Sequence, residues 1–318
     1  MADAAAMKIL LTGASSFTGA HYARVLAERG HDVTATFTRG GGDYRDGGVR
    51  QARVRLVEGC AKPLWNTSFG DDRFTDALAS GGFDALCHHA ADVTDYKSPA
   101  FDAAGAVARN TRNAHAVLAR VAADGGVLML TGSVFAGGRG AGSDGLPHFS
   151  PYGLSKGLSN ELLAYLAAQA GVPCGEVVIP NPFGPLEEPR FTAYLVKTWM
   201  KGEVAGCNTP LYVRDNIHVG LLALAYADAV EKLSATRPAF ARLEPSGYIE
   251  SQGSFAQRYA REMSARLEKP CELRLAHQSE FTEPRIRVNT DPLDAEALGF
   301  DEAAAWDAAA ADYRARLG

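Results

Sequence analysis

The chain has 318 residues, 47% of them hydrophobic and 22% charged, and a net charge of −5 at pH 7. This is the balance of a globular protein rather than a disordered one, and the negative sum argues against a general binder of nucleic acid or of a membrane surface. Five cysteines (Cys60, Cys87, Cys174, Cys207 and Cys271) stand far apart with no C-x-x-C pair, so neither a disulfide framework nor a metal site is expected.

The opening MADAAAM has no basic run, and the apolar stretch behind it is too short to cross a bilayer. A cytoplasmic location is expected, and Met7 offers an alternative start. KILLT (8–12) reads as a buried strand, AHYARVLAERG (20–30) as a helix closed by Gly30, and DVTATFT (32–38) as the next strand. Further strands are predicted at RVRLVEG (53–59), DALCHHA (84–90), GVLMLTG (126–132) and GEVVIPN (175–181), with helices between them. One helix runs from about Pro151 to Gly171, with Leu154, Leu158, Leu162 and Leu166 at four-residue spacing. This alternation is the signature of β-α-β units and a parallel sheet. The glycine-rich stretches 38–51 and 136–150 break the rhythm and read as mobile loops. Beyond Pro180 come a proline-rich turn, a helix at 191–202, a segment at 213–233 that returns to the first lobe, and a smaller C-terminal lobe closed by an alanine-rich helix at 301–317.

Three stretches carry chemistry. TGASSFTG places Gly13 and Gly19 at the ends of a G-x-x-G-x-x-G frame, with Ser16 in the middle position. After a strand, such a turn brings backbone N–H groups and the positive end of a helix to a pyrophosphate; the other reading is a purely structural turn. At the end of the second strand stand Thr38 and Arg39 rather than an acidic residue. A guanidinium and a hydroxyl suit a 2′-phosphate, so NADP is preferred over NAD, against the reading of a solvated loop arginine. In SPYGLSKGLSNELL, Tyr152 and Lys156 project from one helix face, and a lysine ammonium beside a phenol favours the phenolate needed for acid/base work. His88 and His89 show no metal-ligand spacing and read as packing or cofactor-lining residues, and His218, in an apolar stretch, as a core histidine.

In this order and spacing, TGASSFTG, CHHAAD, Asn110 in RNTRNA, Thr131 four residues before Phe135, YGLSK, NPFGP and VRDNIHV resemble the extended short-chain dehydrogenase/reductases. The likeness is to their NAD(P)-dependent epimerase/dehydratase branch, which acts on nucleotide sugars, and it covers nearly the whole chain. The resemblance implies a Rossmann-type doubly wound α/β sheet with a small C-terminal α/β substrate lobe. The dinucleotide-binding domain would be residues 1–181 with a return segment at 212–236, and the substrate lobe 182–211 and 237–318.

It further implies Tyr152 as catalytic acid/base, Lys156 as its tuning group and a holder of the nicotinamide ribose, and Thr131 as the hydroxyl that bonds the substrate oxygen. The cofactor would be lined by Gly13, Ser15, Ser16, Phe17, Thr18, Gly19, Thr38, Arg39, Ala90, Ala91, Asn110 and Pro180. A nucleoside-diphosphate sugar would meet Ser133, Asn181, Arg190, Arg214 and Arg285 besides Thr131. The family's acidic adenine contact after the third strand reads as replaced by Cys60. Gly132 and Ser133 stand where 4,6-dehydratases of the family carry Asp-Glu, which disfavours water elimination.

The activity expected is that of a nucleotide-sugar epimerase; an NADPH-dependent ketoreductase acting on a 4-keto sugar is the close alternative, and a non-catalytic dinucleotide sensor or a reductase of small ketones the remoter ones. A homodimer is expected by the same resemblance.

Overall fold

The computed structural model describes residues 5–317, so the leading MADA and Gly318 lie outside the described residues. The chain divides into two units: one runs through Arg139 and includes Pro147–Ile179 and Ala223–Leu243, and the other comprises Gly140–Leu146, Pro180–Leu222 and the chain from Glu244 onward.

In the first unit, seven described strands form a parallel sheet in the order Phe240–Leu243, Cys174–Ile179, Val127–Ser133, Ala85–His88, Lys8–Leu11, Asp32–Thr36, Lys62–Leu64. Ala85–His88 and Val127–Ser133 are buried along their whole length, as expected where helices cover both faces and strands become continuous apolar runs. On one face Leu86, Leu128 and Leu130 pack with Phe74, Leu118 and Leu163. On the other, Tyr22 and Tyr226 stack with ring centroids 3.9 Å apart. The return helix Val219–Thr236 supplies Tyr226, and Glu231 on it takes Arg29 Nη1 at 2.8 Å and meets His31 Nε2 at 3.1 Å. Strand order reverses between Lys8–Leu11 and Ala85–His88, and it is at such a switch point, beyond the carboxyl ends of the strands, that open α/β sheets bind ligands.

The second unit is built on a five-stranded sheet among its described residues: Tyr248–Ser251, Val213–His218, Ile286–Val288 and Ala141–Gly142 in order, with Asn181–Phe183 pairing Val213–His218. Its core gathers Phe183, Trp199, Phe255, Tyr259, Trp306 and Tyr313.

Four expectations from sequence are corrected. RVRLVEG is not a strand but most of the helix Val49–Glu58, and the third strand is Lys62–Leu64. The buried residues Arg53, Val54 and Val57 recur at helical spacing, and Gly59 follows as the C-cap. Cys60 therefore precedes the third strand, and Trp65 and Asn66 follow it. The stretches read as loops hold structure: a 3₁₀ turn at Gly41–Tyr44 in one, and in the other Ala141–Gly142, which pairs with Ile286–Val288. The boundary at 212–236 moves, because Val213–His218 is hydrogen-bonded inside the second unit's sheet while Phe240–Leu243 adds a strand to the first. The leucine ladder drifts, since a spacing of four exceeds the 3.6-residue turn, and Leu158 and Leu162 end 44% and 40% exposed.

Glu187 is fully buried in the second unit, accepting hydrogen bonds from Thr192 Oγ1 at 2.6 Å and from the Tyr313 hydroxyl. Burial pushes its pKa from 4.5 up to about 7, with the hydrogen bonds opposing. The folded state thus holds this proton more tightly than the unfolded chain, so its contribution is full below pH 4.5 and is lost as pH rises through about 7. Glu187→Gln should remove this part of the slope, on the order of 3 kcal/mol between pH 4.5 and 8, as read from urea unfolding at both pH values; an unchanged slope would refute the assignment.

Candidate functional site

The switch point is built from Thr12. Its hydroxyl accepts the backbone N–H groups of His89 at 3.0 Å and Ala90 at 2.9 Å, and lies 3.0 Å from His88 Nδ1. His88 Nε2 faces the Asn110 carbonyl at 3.1 Å. A neutral imidazole that donates there must accept from Thr12, and burial, followed by the nearby Lys156 charge, lowers the His88 pKa to about 3. Asn110 accepts from the Asp92 N–H at 2.8 Å and donates to Ser159 Oγ at 3.2 Å. One polar lattice thereby ties the first strand, the end of the fourth and the helix Pro151–Gln169.

Gly13 sits at φ +77°, and a Cβ there would come within 2.8 Å of Ala90 N. A Cβ on Gly19 would meet Gly13 O at 2.3 Å. The first glycine makes the turn and the last allows helix and strand to touch. Ser16 caps the helix Phe17–Glu28 by accepting the Gly19 N–H at 3.1 Å. Its hydroxyl also meets His89 Nε2 at 2.8 Å, and Thr18 Oγ1 lies 3.1 Å from the same nitrogen. His89 is held neutral by burial and then by Lys156, with a pKa near 3. Its Nδ1 is buried without a partner among the described residues.

The helix Pro151–Gln169 starts cleanly, with Ser150 accepting the Gly153 N–H at 3.1 Å and proline at its first position. Tyr152 is half-buried between the rings of Tyr96 and Phe101, at 5.3 and 6.2 Å. Lys156 is 5% exposed, and burial lowers its pKa to about 8, with Glu176 opposing. Thr131 Oγ1 is buried beside the Tyr226 hydroxyl. Ser133 Oγ accepts the Phe135 N–H at 3.2 Å. Ser15, Ala90 and Ala91 are partly exposed, and Thr38 and Arg39 are exposed.

Pro180, Asn181, Arg190, Arg214 and Arg285 belong to the second unit. Asn181 donates to the Asp215 carbonyl at 3.2 Å. Arg214 is buried and engaged, donating to the carbonyls of Val213, Pro284 and Arg285 and to Glu283 at 2.9 Å. Arg285 is exposed over the Phe281 ring at 4.0 Å and lines an open groove with Ser143 and Asp144. Arg190 is exposed, 3.6 Å from Glu188.

The residues missed from sequence are charged groups inside apolar runs. Arg53 is buried over the Phe17 ring at 5.8 Å; Arg287 is buried opposite Arg214 on the adjacent strand; Glu176 is buried in a central strand. Arg53 and Arg287 carry only the signal of a lone charge at a position whose helical or strand phase is buried. No group of three or more histidine, cysteine or acidic residues among the described residues is placed to hold a metal ion.

The family model described as "NAD dependent epimerase/dehydratase family" matches residues 9–239. No curated protein matches the sequence. Among solved structures, the chain is similar to a UDP-glucose 4-epimerase from Brucella ovis in complex with NAD, with a TM-score of 0.73, 19% identity, and coverage of 98% of this chain and 99% of that one. It is similar also to a UDP-glucose-4-epimerase from Stenotrophomonas maltophila with bound NAD and formylated UDP-arabinopyranose (TM-score 0.74, 19% identity, 98% of each chain). A third is DesIV, a dTDP-glucose 4,6-dehydratase from Streptomyces venezuelae (TM-score 0.69, 18% identity, 97% of each chain). At these identities the structures show the fold, and the family model, spanning well over half of the sequence, shows the kinship: the chain belongs to the NAD dependent epimerase/dehydratase family.

Proposed function

We propose that the protein is a nucleotide-sugar epimerase that oxidises a sugar carbinol and reduces it again from the other face. The observation that carries this reading is Lys156, buried on the helix of Tyr152 and near enough to His88 and His89 to lower their pKa values. His89 in turn meets Ser16 and Thr18 of the glycine turn.

The residues present fit a dinucleotide. The glycines at 13 and 19 permit the close turn, Ser16 uses the Gly19 N–H, and the N–H groups of Phe17 and Thr18 remain for an anion as in any first helical turn. The orphaned His89 Nδ1 leaves a buried polar atom there to be satisfied. A bound nicotinamide dinucleotide supplies the hydride acceptor and donor. Tyr152 takes the proton of the sugar hydroxyl on oxidation and returns it on reduction; the Lys156 ammonium favours the phenolate that does so. Gly132 offers no acid for expulsion of water, and a Cβ on it would lie 2.6 Å from Glu176 Oε1.

Tyr152→Phe should lower turnover of a UDP- or dTDP-sugar at least about 100-fold, within the usual worth of a general acid/base, while cofactor binding persists. Retained turnover would refute the assignment.

Arg39 supports a preference for NADP, as does the lack of a carboxylate after the second strand, where Phe37 is buried 4.5 Å from Trp65. It also favours the second reading, a single reduction of a 4-keto sugar with NADPH. Denaturing the purified protein and weighing the released cofactor separates the two. Stoichiometric oxidised cofactor is the outcome expected of an epimerase, and an empty protein that binds NADPH reversibly that of a reductase. Arg39→Ala should weaken NADPH about tenfold and leave NADH unchanged, the scale of one lost charge-assisted contact; equal effects on both would remove Arg39 from the site.

Leu158, Leu162 and Tyr165 are exposed along the Tyr152 helix and support a homodimer. Light scattering of wild type and Leu158→Glu tests it: a wild-type monomer would refute this reading, and a dimer weakened by the substitution is expected.

A further inference from the structure

Glu176 is 2% exposed on the central strand Cys174–Ile179. Its carboxylate accepts from Asn160 Nδ2 at 2.8 Å, from Arg139 Nε at 3.0 to 3.2 Å, and from Arg242 Nε at 2.9 Å. Asn160 lies one turn beyond Lys156 on the same buried helix face, and its amide also donates to the Thr131 carbonyl at 3.1 Å. Arg139 donates in turn to the Gly137 carbonyl at 3.2 Å, in the stretch that follows the Thr131 strand. One carboxylate thus joins the strand end, the helix bearing Tyr152 and Lys156, and the segment between them.

A carboxylate fixed at three places does not yield. The Cβ of any residue replacing Gly132 would lie 2.6 Å from Glu176 Oε1, and turning the carboxylate aside would take one acceptor from each of two guanidinium groups and an amide.

We propose that Glu176 is a positioning residue for the Tyr152–Lys156 pair, setting the lysine-bearing helix face through Asn160 and, by filling the space over residue 132, confining that position to glycine. This rests on the proposed role of Tyr152 and Lys156. The charged and titratable groups that act on Lys156 or feel its charge are His88 and His89 at the end of the fourth strand and Glu176, with Arg139 and Arg242 behind the carboxylate. Both histidines are neutral at pH 7, so Glu176 is the negative charge that supports the ammonium.

The test is the pH dependence, from pH 6 to 10, of NADPH and NADH binding by cofactor fluorescence and of turnover with UDP-glucose, in wild type, Glu176→Gln and Arg242→Gln. Glu176→Gln should move the alkaline limb of both curves to lower pH by at least half a unit and lower kcat about tenfold with KM changed less than twofold. Arg242→Gln, which leaves the carboxylate its Arg139 and Asn160 contacts, should move the limb to higher pH by withdrawing a positive charge; it keeps the test open if Glu176→Gln does not fold. Unchanged limbs in the folded variants would overturn the proposal, since a merely structural role changes melting temperature without shifting a titration. A wild type that binds cofactor but turns over no nucleotide sugar defeats the proposed function alone, because the binding curves still report the ammonium.

Discussion

The site depends on a single hydroxyl that joins two strands at the point where the sheet reverses. Thr12 accepts two backbone N–H groups from the chain leaving the fourth strand and meets His88, which spans to Asn110. Each group is buried or nearly so, and a buried polar group costs stability unless it is paired. Valine in place of Thr12 would fill the same volume and strand two amides and an imidazole. This end of the sheet is therefore specified by hydrogen bonding rather than by apolar packing, while the glycines beside it are specified by the space they leave.

Charge is distributed on the same logic. Lys156 is buried and its ammonium is destabilised by burial, a cost that the Glu176 carboxylate partly offsets. That carboxylate is in turn compensated by Arg139 and Arg242. Removing one member of such a buried cluster leaves the others uncompensated, which is why the network is better understood as a means of fixing positions than as a source of net stability.

What the sequence disclosed and what it hid follow from range. The glycine turn and the helix that carries Tyr152 and Lys156 are local patterns, and the fold has a helix start at each. RVRLVEG was ambiguous because alternating valine and arginine satisfies a strand period over a few residues, and only the longer repeat from Val49 discloses the helix. Glu176 sits in an apolar run, and its partners are 16, 37 and 66 residues away, so nothing near it in the chain announces a network. Arg214 was legible as a conspicuous arginine, but not its engagement with Glu283 and three carbonyls, which forms only when the 281–285 segment folds back beside it.

The serine in the glycine turn serves the helix as well as the turn. A helix whose first turn is bare depends on its ligand, or on water, to satisfy its leading amides. Here Ser16 answers one of them from within the chain and anchors itself on His89. The shape of the turn is therefore held by hydrogen bonds within the chain as well as by its glycines. The serine thus gives the turn a fixed partner at the end of the fourth strand, so the helix start and the strand end hold one geometry together.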